Sequence, residues 1–210
     1  SIAYGVYGAT AATTGNEHKI YNNLISDMNS NGTIYAMYVN SYYKVYHNTV
    51  SLDQTAATAG TTYAMYCTGG VSTDIRNNII TVSRGGTGTK YCLYYPGSPT
   101  TSNNNGVYLN AAAGTNNYAY NGTTTYAAFA SYVSATGKDG SSVVADPTYI
   151  APGSNNYTPT SPFLNDIGAN LSVLTDITGA PRSGPNPDPG AYEFAVGPCA
   201  GTPTPGNTIA

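Results

Sequence analysis

Catalysis needs acids, bases or nucleophiles brought within reach of one another, and this 210-residue chain offers few such groups. Its carboxylates are Glu17, Asp27, Asp53, Asp74, Asp139, Asp146, Asp166, Asp176, Asp188 and Glu193, set against seven Lys+Arg and two His. Acid–base work or hard-cation binding requires carboxylates that converge, and no spacing here supplies a pair. Asp27 and Asp53 follow Asn23 and Asn48 at unequal offsets of four and five residues, so they need not align. Glu17 and His18 are neighbours, and neighbours in a strand point apart. Arg76 and His47 fall inside repeated motifs, where each is expected to be a variant of its column or part of a solvated face. Asp176 and Arg182 are expected to form a structural ion pair. Cys67, Cys92 and Cys199 are odd in number and lack metal-site spacing, so the first two are expected as small core residues. Cys199 is a candidate for pairing with a cysteine beyond Ala210. No catalytic residue, metal or cofactor is expected.

These sparse groups sit in an unusual background, with only 8% of residues charged and a net charge of −3. No basic face is available to hold a phosphate backbone, so nucleic acid is not an expected partner. No run approaches the roughly 18 apolar residues of a membrane span, so membrane insertion is not expected. Ser1-Ile2-Ala3-Tyr4 lacks the design of a signal peptide and already reads as strand, which suggests a piece of a longer chain. With 40% apolar and 11% aromatic residues the chain has enough material for a core.

A hexapeptide occurs four times, as Ile2-Ala3-Tyr4-Gly5-Val6-Tyr7, Thr33-Ile34-Tyr35-Ala36-Met37-Tyr38, Thr61-Thr62-Tyr63-Ala64-Met65-Tyr66 and Thr89-Lys90-Tyr91-Cys92-Leu93-Tyr94. Its leading tyrosines are 31, 28 and 28 residues apart. Between the copies lie Ile20-Tyr21-Asn22-Asn23-Leu24-Ile25, Val45-Tyr46-His47-Asn48-Thr49-Val50 and Ile75-Arg76-Asn77-Asn78-Ile79-Ile80, with a weaker echo at Asn103 to Tyr108. Short aromatic and β-branched segments separated by Gly, Thr, Asn and Ser are strands. Three such strands cannot bury both faces alone, so consecutive units must stack. The fold class predicted is all-β, a right-handed parallel β-helix (solenoid) of about four rungs with an irregular C-terminal cap. Residues 1–110 should form the rungs, 111–196 irregular rungs and a cap, and 197–210 a Pro/Gly/Thr-rich linker to a further domain. The upstream end should be covered by earlier coils or a partner.

Stacking turns each repeated position into a column. Strict alternation directs Val6, Met37, Met65 and Leu93 inward together with Tyr4, Tyr35, Tyr63 and Tyr91. It directs Tyr7, Tyr38, Tyr66 and Tyr94 outward as a ladder, beside the small column Gly5, Ala36, Ala64 and Cys92. That ladder is the candidate glycan-binding surface, with cross-strand stacking as the structural alternative. Asn23, Asn48, Asn78 and Asn105 should form a structural ladder that turns the chain through left-handed backbone angles and links rungs by side-chain amides. Ser26, Ser51 and Thr81 should follow as a hydroxyl column. A short helix is predicted at 126–132, and 111–194 should close the C-terminal end.

The closing segment carries three motifs in order: Ser161-Pro162-Phe163-Leu164-Asn165-Asp166-Ile167-Gly168, Thr175-Asp176-Ile177-Thr178-Gly179-Ala180-Pro181-Arg182, and Asp188-Pro189-Gly190-Ala191-Tyr192-Glu193-Phe194. Their order resembles the C-terminal signature of bacterial right-handed parallel β-helix surface proteins of the pectate-lyase-like, choice-of-anchor type. Asn165 stands where that group usually has an acidic residue. The Pro/Gly/Thr-rich tail resembles linkers of large secreted Bacteroidetes proteins exported by type 9 secretion. The resemblance implies a non-catalytic extracellular module of a cell-surface adhesin or filament, acting as a stiff spacer and glycan-contacting surface. Its expected partners are neighbouring domains of the same polypeptide, carbohydrate, or like modules in a filament. The alternatives are a polysaccharide lyase or glycoside hydrolase-like β-helix enzyme, and a carbohydrate- or ice-binding module.

Overall fold

A computed structural model describes residues 1–10, 12–56 and 59–196; the tail, with Cys199, lies outside the described residues. Each repeat folds into a rung of three strands. The first comprises β1 (Ile2–Gly8), β2 (His18–Tyr21) and β3 (Leu24–Ile25), and the second β4 (Thr33–Val39), β5 (Tyr43–Tyr46) and β6 (Thr49–Leu52). The third comprises β7 (Thr62–Cys67), β8 (Asp74–Arg76) and β9 (Ile79–Val82), and the fourth β10 (Lys90–Tyr95), β11 (Thr101–Asn103) and β12 (Gly106–Leu109). They are followed by β13 (Asn116–Asn121), β14 (Thr124–Tyr126), α1 (Phe129–Thr136) and β15 (Val143–Val144). Stacking produces three sheets, in the orders β1-β4-β7-β10-β13-β14, β2-β5-β8-β11 and β3-β6-β9-β12-β15. All pairings are parallel except the β13–β14 hairpin, so the chain is a β-solenoid of about four turns.

The register is the one the repeat spacing requires, with Tyr4, Tyr35, Tyr63 and Tyr91 in line and Val6, Met37, Met65 and Leu93 in line. Met37, Met65 and Leu93 share the interior with Val45, Ile75, Val50, Ile80 and Val107. The direction of two other columns corrects the expectation from alternation. Ala36, Ala64 and Cys92 are buried beside Met37, Met65 and Leu93, so two consecutive residues point inward on each rung. Period-two alternation therefore breaks once, at the same place in each of these strands, as in a stacked bulge. The tyrosine before the break and the tyrosine after it then share the outer face. Tyr4, Tyr35, Tyr63 and Tyr91 do not enter the core, and the small column does. The core favours this arrangement because methyl and thiol side chains fill narrow space that phenols cannot.

The asparagine expectation also divides in two. The left-handed corner belongs to the preceding column, Asn22, His47, Asn77 and Asn104, at φ 55°, 53°, 57° and 55°. Asn23, Asn48, Asn78 and Asn105 instead turn inward and carry the ladder. Asn23 Nδ2 donates to Asn48 Oδ1 at 2.8 Å, Asn48 Nδ2 to Asn78 Oδ1 at 3.0 Å, and Asn78 Nδ2 to Asn105 Oδ1 at 3.1 Å. Asn105 Nδ2 ends the series on Asp139 Oδ1 at 2.9 Å.

Other corners stack backbone on backbone. A Cβ on Gly60 would stand 1.9 Å from the Gly32 carbonyl oxygen, so only glycine fits there. Carbonyls at these corners also hold two buried cations, although Arg84 Nε finds no partner among the described residues. Arg84 donates to Gly60 O, Gly32 O, Ser30 O and Thr62 Oγ1, while Lys90 donates to Gly86 O, Gly88 O and Ala113 O.

The expected cap separates into two structures. Residues 111–144 close the C-terminal end through the hairpin, α1 and β15. The helix lies at Phe129–Thr136, later than predicted, and buries Phe129 and Tyr132 against the core before Gly137 ends it in the left-handed region. Residues 146–194 instead run along the sides of the rod. Tyr149 reaches Thr81 on the third rung, Tyr157 reaches Asp27 and Asp53 on the first two, and Leu164 packs near Gly106 on the fourth. The strap then descends the left-handed corner, where Asn104 donates to Ile167 O, Asn77 to Ala169 O and Asn22 to Thr175 O.

Candidate functional site

The outer face of the first sheet is a double column of tyrosines. Within a column the rings lie parallel: Tyr35 and Tyr63 at 4.8 Å and 17°, Tyr38 and Tyr66 at 5.0 Å and 8°, and Tyr66 and Tyr94 at 5.0 Å and 19°. Between columns the rings are nearly perpendicular, as for Tyr35 and Tyr66 at 77° and Tyr63 and Tyr66 at 87°. The result is a herringbone in which each edge meets a neighbouring face, the preferred geometry of aromatic quadrupoles. Burial among these rings, followed by the neighbouring phenols, pushes the Tyr63 and Tyr66 hydroxyls up to about 12. The predicted Tyr7, Tyr38, Tyr66 and Tyr94 ladder is thus assembled, extended by Tyr120 and doubled by the Tyr4 column. Its interior ring faces are already covered by other rings. A sugar that stacks on an aromatic needs a free face, so the middle of the ladder offers edges and hydroxyls only.

A better-shaped concavity lies on the second sheet. Alternation there places Lys19, Lys44 and Asp74 in one outward column and Tyr21, Tyr46, Arg76 and Asn103 in the next. The strap residues 170–175 wall this floor, leaving a groove of about 500 Å³. Its charges are largely matched. Lys44 pairs with Glu17 at 3.2 Å, and Asp74 accepts from Arg76 Nε at 2.7 Å and from the Tyr46 hydroxyl at 2.6 Å. The Arg76 guanidinium also lies 5.8 Å from the Tyr46 ring centroid. Tyr21, at 48% exposure, has an accessible ring beside the exposed Lys19. The sequence carried the Tyr21–Tyr46–Arg76 column; the wall comes from residues about 95 to 155 positions away and left no local signal.

One carboxylate pair unseen in the sequence does converge. The buried Tyr157 hydroxyl lies 3.5 Å from Asp27 Oδ1 and 3.4 Å from Asp53 Oδ2. Burial, with a contribution from Asp27, raises the Asp53 pKa. Among the described residues no group of three or more His, Cys, Asp or Glu is arranged to hold a metal ion. No described helix is long and apolar enough to cross a membrane.

The remaining candidates build the strap. His47 is fully buried, not part of a solvated face: Nδ1 donates to Asp188 O at 3.0 Å and Nε2 accepts from Asn77 Nδ2 at 2.9 Å, a tautomer assigned from these partners. Burial and the nearby Arg182 lower its pKa to about 3. The expected Asp176–Arg182 ion pair does not form. Arg182 pairs with Glu193 at 3.3 Å and donates to Asn22 Oδ1 at 2.9 Å, Gly190 O at 2.9 Å and Asp188 O at 3.1 Å. Asp176 caps the turn after it, accepting from the amides of Thr178 and Ala180 and from Glu193 N. A carboxylate needed by three backbone amides is better used there than opposite a guanidinium already bound to carbonyls. Cys67 and Cys92 are free buried thiols, as expected of core filler, and burial pushes Cys67 up to about 12.

Compared with models of known families, with curated proteins and with solved structures, the chain matches none.

Proposed function

We propose that this chain is a non-catalytic, extracellular spacer module of a large surface adhesin or filament, and that it contacts glycan through the groove on its second sheet. The observation that carries the spacer reading is the strap. A bare solenoid can peel rung by rung, because each rung contacts only its neighbours. Here one segment bonds to Asn104, Asn77 and Asn22 in turn, so extension of the rod must break fourth-, third- and first-rung contacts together. The relation to pectate-lyase-like, choice-of-anchor β-helix proteins is part of this proposal. It is supported by the closing motifs, whose Asp176, Arg182, Asp188 and Glu193 interlock the strap. The glycan reading is supported by the open Tyr21 ring, the polar floor and the near-neutral charge balance, which suit an uncharged oligosaccharide better than a polyanion. A lyase or hydrolase reading has the Asp27–Asp53 pair in its favour, but the buried Tyr157 hydroxyl fills the place between those carboxylates. Pulling the chain from its two ends is expected to give one dominant unfolding event; extension in successive steps of one rung would refute the spacer reading. Titration with neutral oligosaccharides should show binding that Tyr21→Ala abolishes and Tyr66→Ala leaves intact; the reverse pattern would return the glycan site to the ladder.

A further inference from the structure

The two ends of the rod differ. At the C-terminal end β14, α1 and β15 cover the last rung, and Ala119 and Tyr132 are fully buried. At the N-terminal end the same columns lie open. Ala36, Ala64 and Cys92 are 0% exposed, whereas Gly5 in their column is exposed; Val45 and Ile75 are 0% exposed, whereas Ile20 is only partly buried. The outer edges of β1, β2 and β3 have no pairing strand among the described residues, and Ile2 and Tyr7 are 61% and 59% exposed. β1 is seven residues long and has neither proline nor charge, the devices by which lone domains protect an edge.

We infer that this end is a docking surface for one further polypeptide rung of the same repeat type, entering with its strands parallel to β1, β2 and β3. The asparagine ladder sets the direction. Each side-chain Oδ1 accepts only from the rung on its N-terminal side, while Nδ2 donates both to the next Oδ1 and, in Asn48, Asn78 and Asn105, back to a carbonyl of the preceding rung. The ladder therefore begins with an acceptor, Asn23 Oδ1, which receives no hydrogen bond among the described residues. The partner must therefore bring an amide donor there, a small residue over Gly5, and tyrosines over the outer faces of Tyr4 and Tyr7. A second copy meeting this end through a two-fold axis would set Asn23 Oδ1 against its twin and pair the strands antiparallel. A second copy stacked head to tail would present its antiparallel β14 and α1. The terminal tail contains Pro198, Pro203 and Pro205, which cannot donate to a strand edge. The inference concerns the end of the rod and is independent of what the groove binds.

The test joins a copy of residues 33–60 ahead of Ser1 in the full chain and follows amide exchange across residues 2–25, with sedimentation to fix the oligomeric state. A monomer in which the β1 amides exchange at least about tenfold more slowly than in the parent is expected, and N48L in the added copy should remove much of that protection. Unchanged β1 exchange in a folded fusion would overturn the inference. If the fusion does not fold, a synthetic peptide of residues 33–52 added to the parent chain should slow the same amides, and a scrambled peptide of equal effect would overturn it. So would a parent chain whose β1 amides are already protected, either as a dimer or until residues 197–210 are removed.

Discussion

Replacing Asn78 by alanine tests whether the amide ladder holds the rungs together. The Asn78 side chain donates to Val45 O, Arg76 O and Asn105 Oδ1 and accepts from both the backbone amide and Nδ2 of Asn48. Alanine leaves the Asn48 amide without its partner in a site closed to water. An orphaned buried donor costs about 1–3 kcal/mol, and each further net hydrogen bond about 1 kcal/mol, so Asn78→Ala should lose roughly 3–5 kcal/mol. Asn23 stands in the same column, yet it donates to Tyr21 O and Asn48 Oδ1, accepts from nothing described and is partly exposed. Asn23→Ala should lose only about 1–2 kcal/mol by the same reasoning. Urea unfolding of both variants, with the slopes compared to exclude a change in the exposed surface, measures the difference. Equal losses, or a loss below about 1 kcal/mol for Asn78→Ala, would refute the assignment of rung cohesion to this column.

Two further outcomes follow from the outer face and the strap. Tyr63 and Tyr66 keep their protons to about pH 12 when folded, against an unfolded value near 10. The folded state holds these protons longer, so their contribution is complete below about pH 10 and is lost as pH rises through 12. Tyr63→Phe and Tyr66→Phe should therefore each remove one phenol from the part of the phenolate titration that occurs near pH 12; a loss from the part near 10 would show that the herringbone is open to water. Arg182→Met removes the donor that joins Glu193, Asn22 and the carbonyls of Asp188 and Gly190. It should cost about 3–5 kcal/mol and open the strap to protease between residues 166 and 194, and lysine should not rescue it, because one ammonium cannot reproduce the fork.

Much of the fold was legible because a solenoid writes itself into sequence as a period. Four hexapeptides at near-constant spacing fixed which residues stack, and the observed register follows them residue by residue. The direction of each side chain was less accessible. Strict alternation put the Tyr4 column inside, whereas one break per strand, set by how thiols, methyls and thioethers fill the interior, brought both tyrosine columns to the surface. The asparagine pair carried a similar ambiguity. Two adjacent columns of one residue type looked like one function, and the backbone angles assign the corner to the first and the ladder to the second. The candidate groove had a legible floor in Tyr21, Tyr46 and Arg76 and an illegible wall.

By itself, the sequence determined the repeat, the order of strands, the columns and the scarcity of chemical groups, since all of these are local or periodic. Only the tertiary structure decided that residues 146–194 run back along the rod, that Arg182 grips Asn22 across 160 positions, and that Asp27 and Asp53 meet at Tyr157. Such contacts have no period. They are chosen by whichever buried donors and acceptors are still unpaired once the rungs have stacked.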